Sequence, residues 1–231
     1  MKALLVDLDD TLLDYSGGAD ACWEAACAAA APDLERAALL AALVDARQWF
    51  WSDPERHRRE RVNMLGAWTK IAARALEACG GADSRMAAAI AEVFAERRRA
   101  AWRLFPDALA FLTSLRERRV PLALVTNGDA RQQRDKIARH DLARWFDAIL
   151  IEGEMGCGKP DESVYREALR KLGAAAEDAW MVGDHIEFDV GAPQRLGLRG
   201  VWLDRAGAGV PAGADVRPHL IIRDLFAMLA P

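Results

Sequence analysis

Short apolar runs recur along the chain and alternate with longer stretches of mixed polarity. In most cases an amphipathic stretch follows the run. One amphipathic stretch spans 107–119, and another follows Lys159, where Val164 and Ala168 share a helical face. Continuous apolar runs that alternate with helices are typical of a parallel sheet covered on both faces. The predicted strands are 2–7, 120–126, 147–152, 179–183 and 199–203.

The strand pattern disappears between about residues 15 and 105. Trp68, Ile71 and Leu76 follow helical spacing and stop at Gly80, and residues 86–97 form a second helical pattern. Two or three further helices precede these two. The sequence therefore predicts an α/β core made of 1–14 and 106–231, with a helical insertion over 15–105.

Composition narrows the class of protein. Of the 231 residues, 52% are hydrophobic and 29% are charged, which excludes disorder as the main state. The formal net charge of −4 provides no basic field for nucleic acid or for an anionic membrane surface. We therefore expect no nucleic-acid partner and no membrane partner.

The cysteines and the first residues bear on localisation. The four cysteines are scattered and form no Cys-x-x-Cys pair, which favours reduced, buried thiols over a disulfide framework. The chain starts MKALLVDLDD, with acids where a signal peptide needs an apolar run, and no stretch of ~20 apolar residues follows. We expect a cytoplasmic protein.

Polar residues follow the ends of the predicted strands, where ligands bind in open parallel sheets. Clustered carboxylates repel one another unless a hard cation lies among them, and oxygen ligands favour Mg²⁺. A hydroxyl, backbone amides and a lysine suit the oxygens of a phosphoryl group. A carboxylate next to the metal could then attack phosphorus. The residues concerned are Asp7, Asp9, Thr11, Thr126, Asn127, Lys159, Asp184 and Asp189.

Four motifs occur in order at these strand ends: DLDDT at 7–11, TNG at 126–128, GKP at 158–160 and GDHIEFD at 183–189. In all four, the chain resembles the haloacid dehalogenase superfamily. The resemblance covers nearly the whole chain and implies a Rossmann-like three-layer core with a mobile α-helical cap. The segment TNGDARQQRDKI also resembles the N-acylneuraminate-9-phosphatase and nucleotidase branch of that superfamily.

The resemblance implies a role for each catalytic residue. Asp7 would be the nucleophile. Asp9 would protonate the leaving oxygen and later deprotonate the water that cleaves an aspartyl-phosphate. Thr126 and the Asn127 amide would hold the phosphoryl oxygens, while Lys159 would neutralise charge on the nucleophile and the phosphate.

It also implies a Mg²⁺ cofactor. The ligands would be the Asp7 carboxylate, the Asp9 backbone carbonyl and Asp184, with Asp189 supporting them and Thr11 ordering the turn. The expected function is hydrolysis of small phosphorylated metabolites by a monomer or a dimer. The substrate itself is left open.

Alternative functions share much of this residue set. The 2-haloacid dehalogenase reaction releases no alkoxide that needs a proton, and the dehalogenases of the superfamily lack the second aspartate of the Asp-x-Asp pair. The presence of Asp9 therefore argues against this activity. A phosphonate hydrolase of the superfamily needs a lysine in the cap. The only lysine in the sequence between 15 and 105 is Lys70, which lies among apolar residues on a packing helix, and this argues against that activity. A phosphomutase and a non-catalytic binding protein on the same fold also remain open.

Several residues have ordinary structural explanations. Asp14 suits a helix or turn cap, and Thr126 and Asn127 suit a strand end and a turn. The charged run 56–61 favours a solvated helix face over contacts with an anionic substrate, and the aromatic run 49–51 favours the core of the insertion. We expect His185 to be only a neighbour of the metal site.

Overall fold

The computed structural model describes residues 1–81, 83–211, 213 and 215–229. Its strands are β1 (Ala3–Val6), β2 (Leu13–Asp14), β3 (Arg103–Leu104), β4 (Leu122–Thr126), β5 (Ala148–Ile151), β6 (Ala179–Gly183), β7 (Arg199–Leu203) and β8 (Leu220–Ile222). Its α-helices are α1 (Ala19–Ala30), α2 (Arg36–Trp51), α3 (Pro54–Glu60), α4 (Met64–Ala78), α5 (Ser84–Ala101), α6 (Ala108–Glu117), α7 (Ala130–Arg139), α8 (Glu152–Met155), α9 (Glu162–Leu172) and α10 (Ala192–Arg195).

Two compact units make up the chain. One comprises Met1–Tyr15 and Arg103–Pro231, and the other comprises Ser16–Trp102. The first contains a six-stranded sheet in the order β5-β4-β1-β6-β7-β8, with every neighbouring pair parallel. The α/β class with a parallel sheet is thus confirmed.

Most strands of the sheet are buried apolar runs joined by crossover helices, which is typical of a parallel sheet. All four residues of β1 and all five of β4 are buried. Helix α9 covers one face of the sheet with Val164, Tyr165 and Ala168. Its ends are defined by the Asp161 carboxylate, which accepts a hydrogen bond from the Ser163 amide at 2.9 Å, and by the left-handed Gly173.

The sequence pattern missed three strands. Strand β8 follows β7 at the edge of the sheet. Its apolar run has only three residues, of which Leu220 and Ile221 are exposed. Strands β2 and β3 form an antiparallel two-stranded ribbon of two residues each. Asp14, expected as a cap, lies instead in β2 opposite Arg103.

The helical unit has its own aromatic core. Five helices, α1 to α5, account for its secondary structure within the described residues. The Trp23 and Phe94 rings stack with centroids 3.7 Å apart, and Trp68 meets Phe94 edge-on at 5.0 Å. None of the helices in the described residues is long and apolar enough to span a membrane.

The expectations for the aromatic run 49–51 hold only in part. Phe50 is buried and Trp51 packs on the core, but Trp49 is 40% exposed. The guanidinium groups of Arg56 and Arg74 lie 3.9 and 4.1 Å from the centroid of the Trp49 ring. Trp49 thus forms a surface cation–π cluster rather than core.

The charged run 56–61 is not simply a solvated face. Arg58 and Arg59 are exposed, but Glu60 and Arg61 are buried. The Glu60 carboxylate accepts hydrogen bonds from Lys70 and from Arg59. A buried carboxylate requires such partners, and here they lie on α4 and within the run itself.

Candidate active site

The predicted site residues converge at the carboxyl ends of the central strands. Asp7 directly follows β1, and its amide donates to the Val182 carbonyl of β6 at 3.0 Å. Thr126 is the last residue of β4, and Asp184 follows the last residue of β6. Because parallel strands end at the same edge, residues far apart in sequence meet here.

Lys159 lies at the centre of the site. Its side chain is 2% exposed, and its Nζ atom donates to Asp7 Oδ1 at 2.6 Å and to Asp189 Oδ1 at 2.7 Å. Burial opposes the positive charge, but the attraction of Asp189 and Asp7 outweighs it, so the pKa of Lys159 is raised. Lys159 therefore carries a fixed positive charge against Asp7.

The backbone of Lys159 is held by the Asn127 side chain. The Lys159 amide donates to Asn127 Oδ1 at 2.8 Å, and Asn127 Nδ2 donates to the Lys159 carbonyl at 2.7 Å. A Cβ atom on Gly158 would lie 2.5 Å from Asn127 Oδ1 and 2.7 Å from Glu152 Cδ, so only glycine fits this approach. The Asn127 side chain thus positions Lys159, a role that the sequence did not suggest.

Three carboxylates form a compact cluster. Asp7, Asp184 and Asp189 each place an oxygen within 4.8 Å of the others, and Asp184 is the most exposed of the three. Asp189 Oδ1 accepts from Lys159, and its Oδ2 accepts from the His185 amide at 2.9 Å. Both oxygens of Asp189 are thus engaged by neighbouring groups of the site.

The electrostatics of the cluster favour a cation. Burial, with a smaller contribution from Asp189, raises the pKa of Asp7 to about 7 against the opposing pull of Lys159. Burial and the charges of Asp7, Asp189 and Asp10 raise the pKa of Asp184 to about 8. Oxygen-only ligands with crowded negative charge are what Mg²⁺ prefers, so the donor set fits this ion.

Mg²⁺ should therefore stabilise the protein more at pH 8.5 than at pH 6. The elevated pKa values of Asp7 and Asp184 keep protons on these carboxyls at pH 6, and Mg²⁺ must displace them. Without Mg²⁺, each carboxyl with a raised pKa contributes its full stability to the folded protein below pH ~4. That contribution is lost as pH rises through about 7 to 8. At 100 times the Kd we expect a rise in Tm of roughly 5–10 °C at pH 8.5, and a smaller rise at pH 6.

Thermal unfolding with and without MgCl₂ at the two pH values would measure this difference. Asp184→Asn should remove most of the shift, whereas Asp178→Asn, at an exposed aspartate paired with Lys2, should retain it. An equal or larger Mg²⁺ effect at pH 6 would contradict the assignment of the cluster.

Asp9 lies beside the cluster and is held by residues that the sequence analysis missed. Lys136 Nζ donates to Asp9 Oδ1 at 2.8 Å and to Oδ2 at 2.7 Å. Gln133 Nε2 donates to Asp9 Oδ2 at 3.0 Å and to Thr126 Oγ1 at 2.6 Å. Both residues lie in the segment TNGDARQQRDKI, but neither belongs to one of the four motifs.

Glu152 is a second residue that the sequence did not single out. It is buried, and its Oε2 accepts a hydrogen bond from the Gly128 amide at 2.8 Å. This contact fixes the turn that follows Thr126 and Asn127. Glu152 therefore shapes the loop in which the phosphoryl-binding groups are expected.

Thr11 does not join the cluster. It is fully buried, its carbonyl accepts from Arg205 Nη2 at 2.8 Å, and no described residue offers its hydroxyl a hydrogen bond. Before it, Asp10 has a φ of +57°, and the Asp10 carboxylate accepts from the Tyr15 amide at 3.1 Å. The turn is thus ordered largely by Asp10 and Arg205.

His185 acts locally. Its Nδ1 accepts from the Phe188 amide at 3.2 Å, and its ring stacks on that of Phe188 with centroids 3.8 Å apart. It begins the π-helical segment Ile186–Gly191, which carries Asp189. His185 is therefore a neighbour of the cluster, as expected.

The chain matches known proteins over most of its length. A model of the haloacid dehalogenase-like hydrolases matches residues 1–197. The phosphoserine phosphatase of Thermus thermophilus is 36% identical over 247 aligned positions, covering 97% of this chain and 96% of that protein. The N-acylneuraminate-9-phosphatase of Rattus norvegicus is 35% identical over 156 positions, covering 67% of this chain and 62% of that protein.

Solved structures agree on the fold. The magnesium-bound HAD-hydrolase YfnB from Bacillus subtilis has a TM-score of 0.76 at 21% identity, covering 98% of this chain and 96% of that one. The 2-haloacid dehalogenase from Pseudomonas syringae pv. Tomato DC3000 has a TM-score of 0.65 at 29% identity, with full coverage of both chains. The resemblance drawn from the four motifs is confirmed.

Proposed function

Because the chain belongs to the haloacid dehalogenase-like hydrolase family, we propose that it is a Mg²⁺-dependent phosphatase of small phosphorylated metabolites. The observation that carries the proposal is the buried Asp7 carboxylate, paired with Lys159 at 2.6 Å, with a second carboxylate two residues later. A carboxylate nucleophile with an acid–base partner is what hydrolysis through an aspartyl-phosphate requires.

In the first step, a carboxylate oxygen of Asp7 forms a bond to phosphorus, and the bond from phosphorus to the leaving oxygen breaks. Asp9 gives its proton to that oxygen, which leaves as an alcohol. Lys159 offsets the negative charge that Asp7 and the phosphoryl oxygens bring together. The Thr126 hydroxyl and the Asn127 amide donate hydrogen bonds to those oxygens.

In the second step, a water oxygen bonds to phosphorus and the bond to Asp7 breaks. Asp9 accepts the proton of that water, so it returns to its starting state after each turnover. One carboxylic acid thus serves as acid and then as base, which explains why a side chain separate from the nucleophile is needed.

Mg²⁺ would be held by the Asp7 carboxylate, the Asp9 backbone carbonyl and Asp184. When bound, it would supply charge stabilisation for the phosphoryl oxygens and orient the substrate. Asp189 is better suited to a supporting position because Lys159 and the His185 amide engage both its oxygens.

The insertion over 15–105 is assigned the role of a cap that selects the leaving group. This assignment is supported by the family resemblance and by the separate compact core of Ser16–Trp102. The names of the relatives give different phosphate esters as their substrates, including phosphoserine and glyceraldehyde 3-phosphate. The identity of the substrate therefore requires a screen.

A panel of phosphorylated metabolites would test the function. It would include O-phosphoserine, glyceraldehyde 3-phosphate, N-acylneuraminate 9-phosphate and the general reporter p-nitrophenyl phosphate, with 2-chloropropionate as a dehalogenase control. We expect phosphate release that needs Mg²⁺ and stops in EDTA, and no halide release. Halide release, or full phosphatase activity after metal stripping, would contradict the proposal.

A further inference from the structure

A buried lysine outside the four motifs contacts the proposed acid–base. Lys136 is fully buried on α7, and its Nζ atom donates to both oxygens of Asp9 and to Gln133 Oε1, all at 2.7–2.8 Å. Burying an ammonium group is costly unless it is paired and hydrogen-bonded. The partner here is the carboxylate that is proposed to move protons.

Gln133 extends this contact to the phosphoryl-binding side of the site. Its side-chain amide donates to Asp9 Oδ2 at 3.0 Å and to Thr126 Oγ1 at 2.6 Å, and it is also buried. Thr126, Gln133, Lys136 and Asp9 thus form one continuous hydrogen-bonded chain. A shift of Asp9 would disturb the hydroxyl proposed to contact the phosphoryl group.

The support comes from a rigid element. Helix α7 begins at the N-cap Asp129, whose carboxylate accepts from the Gln132 amide at 2.8 Å, and residues i and i+3 of a helix lie on one face. The Tyr15 ring lies against the ammonium group, with its centroid 3.8 Å from Lys136 Nζ. The Asp9 side chain is 24% exposed and would have more rotational freedom without these contacts.

We propose that Lys136 and Gln133 are positioning residues that hold the Asp9 carboxylate in the orientation needed for proton transfer. This inference rests on the proposed function. General acid–base catalysis requires the carrier oxygen within hydrogen-bond reach of the reacting oxygen, and small misplacements reduce its contribution sharply. Neither residue touches the reacting atoms in the proposed mechanism. Lys136 acts through Asp9, and Gln133 acts through Asp9 and Thr126.

Lys136→Met tests this role by separating proton transfer from nucleophilic attack. With an alkyl phosphate, kcat should fall about 10–100-fold while KM stays within about threefold, because the poor leaving group needs the proton. With p-nitrophenyl phosphate, whose leaving group needs no proton, the initial burst should persist and only the later steady rate should fall. Lys136→Arg should recover part of the loss, and the control Lys171→Met, at an exposed lysine paired with Glu167, should match the wild type.

A double-mutant cycle with Asp9→Asn gives the strictest result. If Lys136 acts through Asp9, adding Lys136→Met to Asp9→Asn should cause almost no further loss. A full additional loss, or an equal slowing of the burst and of alkyl phosphate turnover, would overturn the inference. Gln133→Leu, expected to act in the same direction with a smaller effect, decides the matter if Lys136→Met fails to fold.

The failure of the proposed function is distinguishable from the failure of this inference. A wild-type protein without phosphatase activity would refute the function. Crystal structures of the wild type and of Lys136→Met would then decide the positioning role: a displaced Asp9 carboxylate supports it, and an unchanged carboxylate overturns it.

Discussion

Asp7→Asn should lower phosphate release by on the order of 10⁴-fold or more, because a neutral amide cannot take the place of the attacking carboxylate. Both the initial burst and the steady-state rate should disappear, since no aspartyl-phosphate can form. Rapid-quench kinetics with p-nitrophenyl phosphate and Mg²⁺ would measure both phases. The substitution keeps the size of the side chain, and Lys159 retains Asp189 as a charged partner, so the protein should remain folded.

The matched control is Asp141→Asn. The Asp141 side chain is 70% exposed and pairs only on the surface, with Arg144. Its backbone φ of +49° is one that asparagine tolerates well. Near-normal turnover is expected for this control, and near-normal turnover for Asp7→Asn would refute the assignment of the nucleophile.

Lys159→Met should reduce both activity and stability. It leaves the carboxylates of Asp7 and Asp189 buried side by side without the ammonium group that now bonds to each of them. Removing one partner of a buried ion pair typically costs about 3–5 kcal/mol of unfolding free energy. Loss of charge stabilisation at the phosphoryl group should lower kcat by about 10³-fold.

The pH dependence of this stability loss provides a sharper test. Without the opposing pull of Lys159, the pKa of Asp7 should rise further, and its carboxyl should hold a proton to higher pH. The stability cost of the variant should therefore be smaller at pH 5.5 than at pH 8.5, because protonation relieves the repulsion. Urea unfolding at the two pH values would measure it, with Lys2→Met, at an exposed lysine paired with Asp178, as the control. A cost that is constant with pH would contradict the buried charge balance.

The main sheet could be predicted from the sequence because five of its six strands are mostly buried apolar runs. Each predicted run contains an observed strand, with the ends displaced by two residues at most. The ribbon of β2 and β3 could not be predicted, since two-residue strands carry no period. They are defined by the pairing of Leu13 with Leu104 and of Asp14 with Arg103, residues that the helical insertion separates in sequence.

The clustering of the motif residues could also be predicted, because topology brings strand ends together. The supporting residues could not. A lysine on a helix is ordinarily exposed, whereas Lys136 is buried against Asp9, 127 positions earlier, and against Gln133 and Tyr15. The same holds for the side chain of Asn127, whose partner is the backbone of Lys159, 32 positions later.

The most direct test of the proposed mechanism is acid quench and peptide mass spectrometry of Asp9→Asn during turnover of p-nitrophenyl phosphate with Mg²⁺. This variant keeps the nucleophile but lacks the base that activates water, so the phospho-enzyme should accumulate. We predict a burst of nitrophenol matched by phosphate bound covalently to Asp7. Phosphate on another residue, or a burst with no covalent phosphate, would contradict the mechanism.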